Sequence, residues 1–234
     1  MKEVAASGLL SLRLPARTGG QSEATLTELF EVIIGLAAAD PVVAHIFRGH
    51  FSFIEELRKL PVSERERWIS LPAEAKIFAN ATSELTGAVG AKRYATEVVR
   101  TDGEYVLNGA KYYSTGTLFA DYISVPALYR QPEGHDSIFE LVIPVTRDGV
   151  VVIDDWDGIG QRRTGSGTTR FESVRIPEAD IKSVSNQTVS AWKTTRFAFL
   201  QLYIHALIAG ILERAVRDSR LFLIESARMG VRVH

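Results

Sequence analysis

A change of hydrophobic period part-way along the chain constrains its fold more than any other feature. From about residue 73 to about residue 185 the sequence breaks into short runs rich in Val, Ile and Tyr. They are Tyr94 to Val99, Tyr105 to Leu107, Lys111 to Ser114, Ile123 to Leu128, Ile138 to Pro144, Val150 to Ile153 and Phe171 to Ile176. β-branched and aromatic residues suit a pleated, half-buried surface. Asp102-Gly103, Asn108-Gly109 and Asp148-Gly149 sit between the runs and supply the positive φ angles of tight turns. Short strands with frequent turns predict an antiparallel sandwich or barrel rather than a parallel α/β sheet.

Both flanks read as helix. Thr27 to Ala39 is apolar-rich, with Glu28 and Glu31 near its start, where acids suit the helix dipole. Asp40-Pro41 ends it and caps a second helix, expected to run through His45, Ile46 and Phe47 toward Leu60. Pro61 and Ser63-Glu64-Arg65-Glu66 open a short charged helix. Ala191 to Ala227 holds no proline and one glycine, Gly210. One face carries Phe199, Leu202, Ala206, Ala209 and Glu213, and the opposite face Leu200, Ile204, Leu207 and Ile211. A helix apolar nearly all round needs burial on several sides, and no second long helix follows it. The expected class is α+β: a partial helical domain over residues 1–72, a β-domain over 73–186, and over 187–234 the first helix of a second helical domain. Self-association as a dimer or tetramer would cover what that helix exposes.

Composition closes off several chemistries. With no cysteine there is no disulfide, thiolate zinc site or iron–sulfur cluster. Five histidines show no H-E-x-x-H spacing, so no metal site is expected. Lys+Arg 27 against Asp+Glu 28 leaves no basic field for nucleic acid or an anionic membrane. The N-terminus has Arg13 soon after a brief apolar stretch, unlike a signal peptide. Phe197 to Leu212 is short for a membrane span and carries Gln201 and His205. A cytoplasmic protein is expected.

Three segments carry chemistry. Gly158-Ile159-Gly160 and Gly165-Ser166-Gly167 lack the strand–glycine–helix context of a dinucleotide fingerprint, and read as turn glycines or as a ligand loop. Phe78 to Gly87 offers Asn80, Thr82, Ser83 and Thr86 as donors and acceptors among small residues, either a plain polar loop or the edge of a planar ligand. Asn108-Gly109 reads as a hairpin turn. Tyr112-Tyr113-Ser114-Thr115-Gly116 then places two rings and two hydroxyls at a strand end. The rings either pack in a core or stack on a flat ligand whose polar edge Ser114 bonds.

Together these segments resemble the acyl-CoA dehydrogenase superfamily. Ser7-Gly8-Leu9-Leu10-Ser11-Leu12-Arg13-Leu14-Pro15 with Gly19-Gly20 is similar to its G-L-L-x-L-x-x-P-x-x-x-G-G segment. Ser83-Glu84 with Gly87 stands at its T-E-x-x-x-G flavin loop. Gly160 to Gly167 with Phe171 to Pro177 is similar to its G-x-R-x-T-x-S…F-x-x-V-x-V-P run. The finer resemblance is to the flavin monooxygenase branch typified by dibenzothiophene monooxygenase. It is carried by Asn80 with Thr82-Ser83-Glu84, by the Tyr112-to-Gly116 strand end, and by Trp156-Asp157-Gly158 with Gly160-Gln161-Arg162 and Thr164 to Thr168. Ser83 stands where that branch has Thr, and Leu85 where it has Arg. Residues Ala88-Val89-Gly90 lack the hydroxyl that dehydrogenases use on the FAD pyrophosphate, which favours FMN.

The resemblance implies a reduced-FMN-dependent monooxygenase. A separate flavin reductase supplies the reduced FMN, and a C4a-hydroperoxyflavin oxygenates sulfur or nitrogen of a small apolar substrate. It implies catalytic roles for Asn80, Ser114, His45 and His50. Flavin contacts are implied for Thr82, Ser83, Glu84, Tyr112, Thr115, Gly116, Ser166 and Arg228, and a substrate wall for Tyr112 and Trp156. The histidines read otherwise as surface or capping residues. Two other functions stand beside it: an FAD-dependent acyl-CoA dehydrogenase, and a non-catalytic flavin-binding fragment, since the family's first helices and most of its C-terminal bundle find no counterpart here.

Overall fold

The computed structural model describes residues 3–4, 7–15, 24–85, 94–130, 136–185 and 195–229. Thr86, Gly87, Ala88 to Gly90, Gly19 and Gly20 lie outside the described residues.

Helix α1, Leu26–Ala39, starts on a reciprocal cap. The Glu28 amide donates to Thr25 Oγ1, and the Thr25 amide donates to the Glu28 carboxylate. Its buried stripe is Leu29, Ile33 and Ala37, one residue per turn. Asp40 accepts from the amides of Val42 and Val43 and opens α2, Pro41–Ile46, with proline in the first turn. The expected single helix to Leu60 is broken at Phe47, and α3 runs Arg48–Leu57. This lets Gly49 lie against β1, where a Cβ would stand 2.9 Å from Asn80 Oδ1. Helix α4 is Val62–Ala73.

The strands are β1 Phe78–Asn80, β2 Glu97–Thr101, β3 Glu104–Lys111, β4 Tyr122–Tyr129, β5 Ser137–Pro144, β6 Val150–Ile153, β7 Thr168–Ile176 and β8 Ile181–Ser185. They form one sheet in the order β6-β7-β3-β2-β4-β5-β8, with β1 also paired to β4. The β1–β4 and β2–β4 pairs are parallel, so the sheet is mixed rather than wholly antiparallel. Asp102-Gly103 is the β2–β3 turn, with φ of 52° and 84°. Asn108-Gly109, expected as a hairpin turn, lies inside β3. Gly109 takes φ 141° at a register shift against β7, and Asn108 Oδ1 accepts from the Ser173 amide. The extra residue of that shift lies on β7, where Ser173 takes φ 54°. Gly109 faces the Thr96 backbone, and a Cβ built on it would stand 2.6 Å from Thr96 Cα.

Helix α5, Thr195–Arg228, packs on α1 through Phe199, Tyr203, Ala206, Leu207 and Gly210. This face takes residues from both of the apolar faces read in the sequence, and burial on several sides is not what the chain shows. The other side leaves Leu202, Ile208, Ile211 and Leu212 exposed, and beyond them Val216 and Leu221 to Ile224. By length and composition α5 could also cross a membrane.

The sheet and helical layers meet through Phe53, Trp68, Phe78 and Val142, with the Phe53 and Phe78 rings stacked 4.0 Å apart. His50 belongs to this seam. It is fully buried, Nε2 lies 2.8 Å from the Leu10 carbonyl, and Nδ1 accepts from the Phe78 amide at 3.3 Å. The two bonds fix the Nε2–H tautomer, and burial pushes the ring's pKa down to about 4. Between pH 6.5 and about 4 the unfolded chain therefore takes up a proton on His50 that the folded chain refuses. Stability should fall across that window as pH drops, by about 3 kcal/mol. Urea titrations at stepped pH should show this slope, and a His50→Gln variant should lose most of it.

Candidate functional site

Two loops interlock at the end of β3. The first, Tyr112 to Gly116, leaves the strand through Tyr113 at φ 55° and turns at Gly116, φ 84°. The second, Trp156 to Gly167, turns at Gln161, φ 54°, and Gly165, φ 58°. The Ser114 amide donates to the Gly167 carbonyl and the Gly116 amide to the Thr164 carbonyl, both at 3.0 Å. Hydroxyls zip the pair: Thr115 to Ser166 at 2.8 Å and Thr164 to Ser166 at 2.7 Å. The Gln161 carbonyl accepts from Trp156 Nε1 and from the Thr164 hydroxyl. Asp155 closes the far end, accepting from the Thr168 amide and hydroxyl, each at 2.7 Å.

A third segment joins them. The Tyr112 amide donates to the Ser83 carbonyl at 2.8 Å, an antiparallel bridge outside the named strands. The structure thus brings Thr82, Ser83, Glu84, Tyr112, Ser114, Thr115, Gly116 and Ser166 into one cluster. Trp156 borders it edge-on to the Tyr113 ring, with centroids 6.1 Å apart. Asn80 ends β1 beside Gly49.

Three buried polar atoms here have no hydrogen-bond partner: Ser114 Oγ, His45 Nδ1 and Gln161 Oε1. Buried polar groups are normally satisfied, and leaving one bare costs on the order of 1–3 kcal/mol. His45 and Gln161 face each other without a well-formed bond. Burial and the Arg48 charge hold the His45 ring below its ordinary pKa, with Gln161 opposing. Neutral donors and acceptors among aromatic residues fit the polar edge of a flavin ring, which carries carbonyls and ring nitrogens.

Two expected site residues stand elsewhere. Both nitrogens of His50 are held by backbone groups in the core, which leaves no nitrogen to serve as a proton donor in a pocket. Arg228 is exposed at the last residue of α5, about 27 Å along the helix from the Gly210 crossing at 1.5 Å per residue, and the structure does not bring it to the loops. Glu84 belongs to the cluster, but its carboxylate is turned to protein groups. Sequence reasoning gave no role to Gln161, Lys111 or Thr164. Leu107 and Lys111, four apart on one buried face of β3, were the available signal: a lysine at an inward register needs a partner.

The acyl-CoA dehydrogenase middle domain matches residues 79–174, the span that contains all three segments. Dibenzothiophene monooxygenase of Mycolicibacterium goodii is 31% identical over 97% of this chain. The chain belongs to the acyl-CoA dehydrogenase superfamily. A probable FMNH2-dependent monooxygenase of Pseudomonas putida, SfnC, is 27% identical over 95% of the chain. TdsC from Paenibacillus sp. A11-2, solved with FMN and indole, superposes with a TM-score of 0.83 at 28% identity, over 94% of this chain. The chain spans little more than half the length of these relatives: 56%, 54% and 56% respectively.

Proposed function

We propose that the chain binds FMN at the Ser83–Tyr112–Ser114 cluster and belongs to a reduced-FMN-dependent monooxygenase acting on a small apolar substrate. The observation that carries this is the set of orphaned buried polar atoms, Ser114 Oγ foremost, in loops shared with relatives named as FMNH2-dependent or solved with FMN. Reduced FMN, when bound, supplies the oxygen activation. Ser114 Oγ holds the ring's polar edge, and Tyr112 walls one side. The Tyr113–Trp156 pair shields the outer side and excludes water. His45, kept neutral by burial, holds a proton on one nitrogen and leaves the other to accept. Gln161 orients that ring.

The test is flavin retention. Purified chain passed down a sizing column with FMN should carry its visible spectrum and take up oxygen when given reduced FMN with dibenzothiophene. FAD retention with bleaching by an acyl-CoA sinks this reading in favour of a dehydrogenase. No flavin carried at micromolar concentration leaves only the non-catalytic reading. Light scattering on the same column reads whether the chain forms the expected homo-oligomer.

A further inference from the structure

A buried ion pair sits behind the proposed flavin cluster rather than in it. Lys111, at the end of β3, is wholly buried, and Glu84 nearly so. Lys111 Nζ donates to Glu84 Oε1 at 2.7 Å and approaches the Thr82 carbonyl at 3.5 Å. It also lies 4.0 Å above the Tyr94 ring. Two backbone amides hold Glu84 as well: Oε2 accepts from the Ala95 amide at 2.6 Å and Oε1 from the Thr96 amide at 3.0 Å. Both oxygens of Glu84 are thus engaged by protein groups among the described residues. The pair ties three pieces of backbone, at Thr82, Ala95–Thr96 and β3, to a single point.

That point is one residue from both halves of the Ser83–Tyr112 bridge. Glu84 follows Ser83 directly, and Lys111 directly precedes Tyr112. Gly109 completes the fixture. A Cβ there would stand 2.6 Å from Thr96 Cα, so β3 meets the Thr96 backbone with no room to slide. A buried ion pair is weak as a source of stability, because desolvation offsets the attraction. It is strong as a constraint, since both partners lose heavily if either moves. Burial brings Lys111 down to about 8, with Glu84 opposing. Burial raises Glu84, but the Lys111 hydrogen bond and charge and the two amides outweigh it, so the carboxyl ends below its ordinary value.

We infer that Glu84 and Lys111 are positioning residues: a buried strut that sets the spacing of the Thr82–Ser83 and Tyr112–Ser114 backbones between which the flavin ring is bound. This rests on the FMN reading above and alters one part of what the resemblance implies, because Glu84 acts through the backbone and not as a flavin ligand.

The experiment compares four full-length chains: wild type, Lys111→Met, Glu84→Gln and Gly210→Ala. The last is a control whose Cβ would stand 2.3 Å from the Ile34 carbonyl oxygen, in the helical layer away from the loops. FMN dissociation constants, the visible spectrum of bound FMN and the unfolding temperature are read for each. Lys111→Met should weaken FMN binding on the order of tenfold and change the resolved shape of the bound flavin's absorption band, since a loosened supporting shell lets a site drift. Glu84→Gln should do the same to a smaller degree, and it decides the matter if Lys111→Met does not fold. Gly210→Ala should lower the unfolding temperature while leaving affinity and band shape unchanged. A strut variant that binds FMN within twofold of wild type overturns the inference. So does an affinity loss that Gly210→Ala reproduces for the same fall in unfolding temperature. A wild-type chain that retains no FMN sinks the flavin reading itself, and is told apart because it fails before any variant is compared.

Discussion

Gly210→Leu is expected to separate α5 from α1 and lower the unfolding temperature by about 10 °C. A Cβ at Gly210 would stand 2.3 Å from the Ile34 carbonyl oxygen, 2.7 Å from Ala37 Cβ and 2.9 Å from the Ala38 amide. Two of these neighbours are backbone, so no rotamer change can relieve the overlap. The helices must move apart, and moving them opens the packing of Tyr203, whose hydroxyl donates to the Ala44 carbonyl at 2.8 Å, and of Phe199 and Leu207. Overpacking of this kind costs about 3 kcal/mol at a site that cannot yield. At a few degrees per kcal/mol for a chain of this size, that is about 10 °C. Gly35, in the middle of α1, provides the opposite case. Nothing lies within 4 Å of a Cβ built there, so Gly35→Ala should stabilise by about 0.5–1 kcal/mol through helix propensity alone. Thermal scans by circular dichroism decide both. A Gly210→Leu chain melting within 2 °C of wild type would mean that α5 does not cross α1 as described.

The same crossing shows why the face of α5 was not legible. With apolar residues all round, a 3.6-residue period has no preferred direction, and Phe199, Leu202, Ala206, Ala209 and Glu213 read as well as any other stripe. What orients the helix is the one position without a side chain, because only there can two backbones approach. The cap of α2 was legible because Asp40 and Pro41 act on their own neighbours, whereas at α1 the acid Glu28 was read only for the helix dipole and its reciprocal bonds with Thr25 were missed. Val150–Ile153 was read to the residue. Strands β1 and β8 were missed: β1 is three residues held by pairing with β4, more than forty residues away, and β8 buries Lys182 while exposing Val184, the reverse of an ordinary strand pattern. Asn108-Gly109 misled for a physical reason. The glycine reports positive φ and room for a close neighbour, and a strand lying against another backbone uses both as a turn does. In the site, the loops were legible by their glycines, such as Gly116 and Gly165, and by resemblance. The Lys111–Glu84 pair and the Gln161–His45 contact were not, since each joins residues from distant segments.

Ser114→Ala is expected to move stability and FMN affinity in opposite directions. The backbone of Ser114 is locked: its amide donates to the Gly167 carbonyl, and its carbonyl accepts from the Thr117 hydroxyl at 2.9 Å. The residue is fully buried, yet its own hydroxyl has no partner. The free chain therefore carries the desolvation cost of a polar group that bonds nothing, and alanine removes that group while filling nearly the same space. The ligand-free variant should be more stable by about 1 kcal/mol or more, a rise of a few degrees. FMN binding should weaken about tenfold, because the bond for which the hydroxyl is kept is gone. Saturating FMN should then raise the variant's unfolding temperature by less than it raises wild type's, by about 1.4 kcal/mol at equal ligand. Thermal scans with and without FMN, beside a binding titration, read all three. Stability bought at the expense of binding is how a site residue behaves. If instead Ser114→Ala destabilises the free chain and binds FMN as tightly as wild type, the hydroxyl serves the fold, and the flavin edge must be held elsewhere.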